Sequence, residues 1–110
     1  MSSATHHPAD RQEITDLFPN ARLQFVHGDT MTFAAWEFGE GAKVPSHRHP
    51  HEQITHCVEG VLELTVAGKH IVLRPGDTVV IPGDVEHDAF SPDGAKGVDA
   101  FQPVREDYRF

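Results

Sequence analysis

A single cysteine, Cys57, is all the thiol this 110-residue chain contains. That excludes an internal disulfide framework and is the usage expected of a cytoplasmic protein. It also excludes a structural zinc site built on several thiolates. No apolar run approaches the ~20 residues that cross a bilayer as a helix. The opening Met-Ser-Ser-Ala-Thr-His-His-Pro lacks the basic start and apolar run of a secretory signal. Basic residues are scarce too: nine Lys and Arg against seventeen Asp and Glu give a formal charge of −8. Nucleic acid and anionic membrane are therefore poor partners. An acidic protein that handles an anionic small molecule must gather cations locally, so each arginine is worth placing.

What is present suits one globular domain with one core: 38% hydrophobic and 24% charged residues. The N-terminal segment, residues 1–20, reads as a loose tail and a short helix. His6 and His7 belong to that solvated tail. Asp10 as N-cap with Glu13 three residues later resembles a capping box, and Ile14, Leu17 and Phe18 share a helical face up to the stop at Pro19-Asn20. Residues 21–110 read as strand and turn throughout, a single barrel domain. Strands are expected over Arg22 to His27, Thr30 to Phe38, Ala42 to His49, Gln53 to Glu59, Val61 to Val66, His70 to Leu73, Thr78 to Ile81, His87 to Phe90 and Val98 to Phe101. Gly28-Asp29, Gly39-Glu40-Gly41, Ala67-Gly68-Lys69, Pro75-Gly76 and Pro82-Gly83 separate them. Short strands at regular spacing argue an all-β sandwich or barrel, and two three-stranded halves suit a jelly roll.

The stretch from Gly41 to Gly60 holds four of the nine histidines. His47 and His49 leave the same face of an extended strand. Gln53 would lie roughly 20 Å from His47 if the strand ran straight, at about 3.3 Å per residue. Pro50 breaks it, and a turn through Pro50-His51-Glu52 folds a second strand back from Gln53, bringing two imidazoles and an amide oxygen to one point. His87, opening a later strand, supplies a further ligand. Three imidazoles and one oxygen suit Ni, Zn, Mn, Fe or Co and leave room for water or substrate. The plain alternative is a solvent-facing histidine cluster. His51 falls in the turn, in an outer or exposed position. Thr55 and Cys57 alternate inward with Gln53, Cys57 as a small core residue, and His56 outward. His27 and His70 read as surface or edge residues, and Trp36 and Phe38 as core filling. Asp99 and Phe101 share one face of the last strand, with Arg105 just beyond Pro103. That face either lines the barrel, adding a carboxylate, an aromatic wall and a cation, or leaves Asp99 in solvent.

Gly41, His47, His49, the polar residue at 53 and Gly60 resemble the first cupin motif, and Gly76, Pro82 and His87 the second. Gln53 stands where the family more often has Glu, Asp84 where it has Gly, and Ser91 where it often has Asn. The resemblance implies a cupin-type double-stranded β-helix (jelly-roll) barrel, here with a short N-terminal helix. The run His-Arg-His-Pro-His-Glu-Gln, followed by Asp99-x-Phe101-x-Pro103-x-Arg105-Glu106-Asp107-Tyr108, is similar to the small cupins of pectin and alginate breakdown, which ketonise 4,5-unsaturated monouronates. That likeness implies a divalent transition metal ion on His47, His49, Gln53 and His87, and action on the sugar by Asp99, Phe101 and Arg105. It implies a homodimer, commonly joined through sheet edges. A neutral Gln53 leaves the ion's full charge to the substrate, which favours Lewis-acid isomerisation or elimination on a small acidic hydroxylated molecule. A flavonol- or diketone-type dioxygenase and a non-catalytic ligand-binding barrel are the alternatives.

Overall fold

The structure, a computed structural model, describes residues 3–110. Its strands are β1 (Thr15–Phe18), β2 (Ala21–His27), β3 (Thr32–Phe38), β4 (Ala42–His47), β5 (Glu52–Gly60), β6 (Leu62–Val66), β7 (Lys69–Leu73), β8 (Thr78–Ile81), β9 (His87–Ser91) and β10 (Ala95–Gln102). Residue alternation decides which side of each strand is inside. In β3, Thr32, Ala34, Trp36 and Phe38 are buried while Phe33 and Glu37 are exposed, the period of two that a half-buried strand needs. The same period buries Leu62, Leu64 and Val66 in β6.

All pairings are antiparallel and make two sheets, one ordered β1-β2-β3-β10-β5-β8 and the other β4-β9-β6-β7. Their inner faces enclose a core that includes Leu23, Trp36, Phe38, Leu62, Leu64 and Ile81. This is the jelly-roll arrangement expected from the strand spacing. No helix among the described residues is long and apolar enough to cross a membrane. The β6–β7 connection is a two-residue hairpin in which Ala67 and Gly68 both take positive φ, 50° and 80°, matching the twist of the flanking strands.

Four sequence expectations change. The helix over Asp10 to Phe18 is a single 3-10 turn, Ala9–Arg11, with no side-chain cap. Pairing with β2 wins over the helical pattern beyond it, because β1 lays Leu17 and Phe18 against the core while Ile14 stays exposed. The strands flanking Pro50 are not paired with each other. β4 pairs with β9, and β5 lies between β10 and β8, so the turn is a corner that carries the chain from one sheet to the other. β4 also ends at His47 rather than His49. The last strand begins at Ala95, three residues earlier than expected, because the β3 and β5 ladders extend to Ala95.

Two glycines are required by close approach. Gly60 holds φ at 78° with the Gly94 carbonyl where a Cβ would stand. Gly97, in mid-strand, packs its bare Cα against the Trp36 ring and the His56 carbonyl, and a Cβ there would overlap both. Gly97→Ala should therefore destabilise the fold by about 1–3 kcal/mol through overpacking. Urea unfolding checks this; a change below about 0.5 kcal/mol, the usual size of a surface substitution, would show that the site has slack.

Candidate metal centre and adjoining cavity

The corner at Pro50 and the β4–β9 ladder build the centre together. His47 pairs directly with His87 across that ladder, which sets their rings 4.4 Å apart between centroids. His49 follows β4 by two residues and brings its ring to 4.9 Å from that of His87. The three side chains can each offer one nitrogen within 4.8 Å of the others. Gln53, at the start of β5, places Oε1 3.1 Å from His49 Nε2.

The hydrogen bonds around these rings fix what they present. His47 Nδ1 donates to the Pro45 carbonyl at 2.8 Å, His87 Nδ1 to the Val85 carbonyl at 2.8 Å, and His49 Nδ1 to the His51 carbonyl at 3.1 Å. Each acceptor is two residues away in the chain. With the proton on Nδ1, each ring turns an Nε2 lone pair toward its neighbours. The Gln53 amide nitrogen donates to Thr55 Oγ1 at 2.9 Å, so its oxygen faces the rings. Four acceptors converge, and His87 Nε2 is sealed from solvent with no partner. Burial holds His87 below the ordinary imidazole range, with His47 and Arg105 adding to the effect. His49 falls to about 4, mainly through burial, then through the positive field of Arg105 and the neighbouring imidazoles, with Gln53 pulling the other way. Lone pair therefore faces lone pair between His49 and Gln53, an arrangement that a cation relieves. The donor set fits a divalent transition metal: three neutral nitrogens and one neutral oxygen, with no thiolate.

A cavity opens beside the cluster. Its polar lining includes His47, His87, Gln53, Asp99 and Arg105, and its apolar lining includes Leu23, Phe25, Trp36 and Leu64. Its free volume is ≈ 60 Å³, room for about two waters at their share of liquid volume. Asp99 and Phe101 face this cavity from β10. Asp99 Oδ1 is sealed and unpartnered. Burial lifts the Asp99 carboxyl to about 7, against the opposing pull of Thr55, Trp36, Arg105 and Gln53. Arg105 is buried, its guanidinium carbon 4.7 Å from the Phe101 ring centre and 4.1 Å from that of Tyr108. Its Nε and Nη2 donate to the two carboxylate oxygens of Asp107 at 3.0 and 2.8 Å. That takes the side-on edge of the fork; Nη1 lies outside the pair. The Arg105 backbone N–H donates to Thr32 Oγ1 at 2.9 Å, which ties the segment to β3.

The structure thus gathers His47, His49, Gln53 and His87 into one cluster and sets Asp99, Phe101 and Arg105 on the adjoining cavity. His51 contributes its backbone carbonyl, outside the cluster. Thr55 and Cys57 point inward, Cys57 fully buried. His27 is not a free edge residue: Nδ1 lies 2.8 Å from Thr32 Oγ1, and Nε2 donates to the Tyr108 carbonyl at 3.1 Å. Sequence reasoning missed Tyr108 and Asp107 as the groups that hold Arg105. Their only sequence signal is proximity to it.

A cupin-domain profile matches residues 34–98. Among solved structures, an RmlC-like cupin from Shewanella frigidimarina is 31% identical with a TM-score of 0.89, covering 96% of both chains. KdgF from a Halomonas species is 26% identical with a TM-score of 0.87, covering 96% of this chain and 98% of that one. AerE from Microcystis aeruginosa is 27% identical with a TM-score of 0.77 over 83% of this chain, which corresponds to 45% of its own.

The buried Asp99 carboxyl makes stability depend on pH. Its folded value of about 7 lies above the ordinary carboxylate value of 3.8, so its contribution is fully present below that value and is lost as pH rises through about 7. In metal-stripped protein, Asp99→Asn should therefore gain stability relative to wild type between pH 4 and 8, by up to about 4 kcal/mol. The His49 shift runs in the opposite direction but is common to both proteins. Denaturant melts across that range test this; parallel curves would show that the carboxyl is solvated.

Proposed function

The chain belongs to the cupin family, and from that premise we propose that it is a metal-dependent isomerase or lyase. Its substrate class is a small, acidic, hydroxylated molecule, of which a 4,5-unsaturated monouronate is the best match. The observation that carries this is the convergence of three Nε2 lone pairs and the Gln53 oxygen beside a carboxyl whose Oδ1 is closed to solvent and a buried guanidinium. The likeness to KdgF over nearly the whole of both chains supports the same choice.

His47, His49, Gln53 and His87 would hold the ion. When bound, it supplies Lewis acidity that stabilises negative charge on a substrate oxygen. All four donors are neutral, so none of the ion's charge is spent on the protein. Asp99 moves the proton. Opening an unsaturated uronate ring to its keto form transfers one proton from the anomeric hydroxyl to C4, as the bond between the ring oxygen and C1 breaks and two carbonyls form. A carboxyl titrating near neutrality can both take and return that proton. Arg105 meets the substrate carboxylate with its end-on edge, while Asp107 fixes the plane of the fork from the side. Phe101 supports the guanidinium and shields the cavity from water.

One observation favours a second class. Much of the cavity lining is apolar, including Leu17, Phe18, Leu23, Phe25 and Trp36, which would suit an aromatic or diketone substrate and a dioxygenase. Oxygen uptake by Fe(II)-loaded protein across such substrates distinguishes the two. Bound metal with no turnover in either assay would leave a ligand-binding barrel.

Metal-loaded protein should remove the ultraviolet absorbance of an unsaturated monouronate without consuming oxygen. Asp99→Asn should lower kcat by about 10²–10⁴-fold at unchanged metal content. Arg105→Lys should chiefly raise KM. Full activity in Asp99→Asn would remove that residue from the mechanism, and oxygen consumption coupled to turnover would remove the reaction class.

A further inference from the structure

The ladder register sets one inward row across the six-stranded sheet: His27 on β2, Thr32 on β3, Phe101 on β10 and Gln53 on β5. Gln53 belongs to the histidine cluster and Phe101 lines the cavity. Thr32 is 1% exposed. His27 ends the row in a separate surface depression, lined also by Gln12 and Arg109. The proposed reaction uses neither Thr32 nor His27. The segment after β10 needs support from them. The backbone bonds of residues 103–110 run within the segment: Glu106 N–H to the Val104 carbonyl, Tyr108 N–H to that of Arg105, and Arg109 N–H to that of Glu106. Among the described residues no strand pairs with it. Yet it carries the Arg105 guanidinium, whose planar fork meets a carboxylate only at a set angle.

Side chains of the barrel tie the segment down. The Arg105 N–H donates to Thr32 Oγ1 at 2.9 Å, and His27 Nε2 donates to the Tyr108 carbonyl at 3.1 Å. His27 Nδ1 lies 2.8 Å from Thr32 Oγ1 and joins the two. The direction of this bond follows from its neighbours. A carbonyl only accepts, so the proton of the neutral His27 ring sits on Nε2. Nδ1 is then bare, and the Thr32 hydroxyl donates to it. The circuit closes through the Tyr108 N–H, which donates to the Arg105 carbonyl at 3.1 Å. Every donor in it has an acceptor, the condition under which linked bonds reinforce one another. This tautomer is the reverse of that in His47, His49 and His87, whose protons sit on Nδ1. The His27 ring also stacks on Phe25 at 6.2 Å and 8°. Phe25 packs on Tyr108 at 4.6 Å, and the Tyr108 ring centre lies 4.1 Å from the Arg105 guanidinium carbon.

We propose that His27 is a positioning residue for Arg105: through Thr32 and the Tyr108 carbonyl it fixes the backbone from which Arg105 enters the cavity. Its effect on substrate rests on the reading of Arg105 as the group that meets the substrate carboxylate. Its hold on the segment does not.

His27→Phe keeps the stack and removes both bonds, His27→Asn keeps an acceptor for the Thr32 hydroxyl, and Thr32→Val keeps the volume without the hydroxyl. Nitrogen NMR on the diamagnetic zinc-loaded protein should find His27 with its proton on Nε2. In His27→Phe the Arg105 amide should exchange with deuterium at least about 10-fold faster, while amides of β5 and β10 keep their rates. His27→Asn should restore most of that protection. With an unsaturated monouronate, His27→Phe and Thr32→Val should each raise KM about 10-fold at unchanged kcat. The double variant should do no worse than either, because both break one circuit. A His27 proton on Nδ1, an Arg105 amide as protected in His27→Phe as in wild type, or KM effects that multiply in the double variant would each overturn the proposal. So would equal acceleration of the β5 and β10 amides, which marks a general loss of stability. If wild type turns over no uronate, the proposed reaction falls, and the tautomer and exchange results still decide whether His27 holds the segment.

Discussion

Three imidazoles spend their Nδ1 protons on backbone carbonyls two residues away. Everything at the site follows from that constraint. It leaves three lone pairs and an amide oxygen in a space where His49, Gln53 and His87 are nearly closed to water. A cluster of acceptors without a donor is costly in a poorly solvated place, because each buried polar atom loses water and gains nothing. The two sheets maintain the arrangement. The β4–β9 register fixes one pair of rings, and the corner through Pro50 brings in His49 and Gln53. A cation turns the same arrangement from a cost into a stabilising one.

The rest of the cavity divides labour between two carboxylates. Asp99 faces the cavity with its Oδ1 closed to solvent, and burial lifts the carboxyl to about 7. Asp107, near the surface, is held below the usual carboxylate range first by its bonds to Arg105. One is held protonated far above the usual carboxylate range; the other is an anion that sets the plane of a guanidinium. The Gln53 amide joins the two regions, since its nitrogen bonds Thr55 and its oxygen faces the histidines. A carboxylate at position 53 would lose the bond to Thr55 and add repulsion toward Asp99.

Much of this was legible in the sequence because its signals are local. Turn glycines, alternation and the two histidine motifs located nearly every strand and all four residues of the cluster. What local pattern does not encode is which strands pair. The strands on either side of Pro50 look like a hairpin, since His47, His49 and Gln53 must meet. In the structure they meet across two sheets, with Pro50 at the corner. The N-terminal helix failed for a related reason: Ile14, Leu17 and Phe18 fit a helical face, but an open edge of β2 competes for the segment from Thr15 to Phe18 and wins, leaving Ile14 exposed. Whether Asp99 faced the cavity was undecided by parity alone. The β10 ladders decide it by placing Asp99 between Ala34 and Thr55, both inward. The Asp107 and Tyr108 clamp on Arg105 depends on the path of the chain after Pro103, for which the sequence has no period to read.

The most direct test of the metal cluster is X-ray absorption on protein loaded with a divalent transition metal and passed through a desalting column. Close to one ion per chain should be retained, with nitrogen and oxygen neighbours at about 2.0–2.2 Å and the outer-shell scattering of three imidazoles. Retention of no metal, or a shell showing fewer than two imidazoles, would contradict the account.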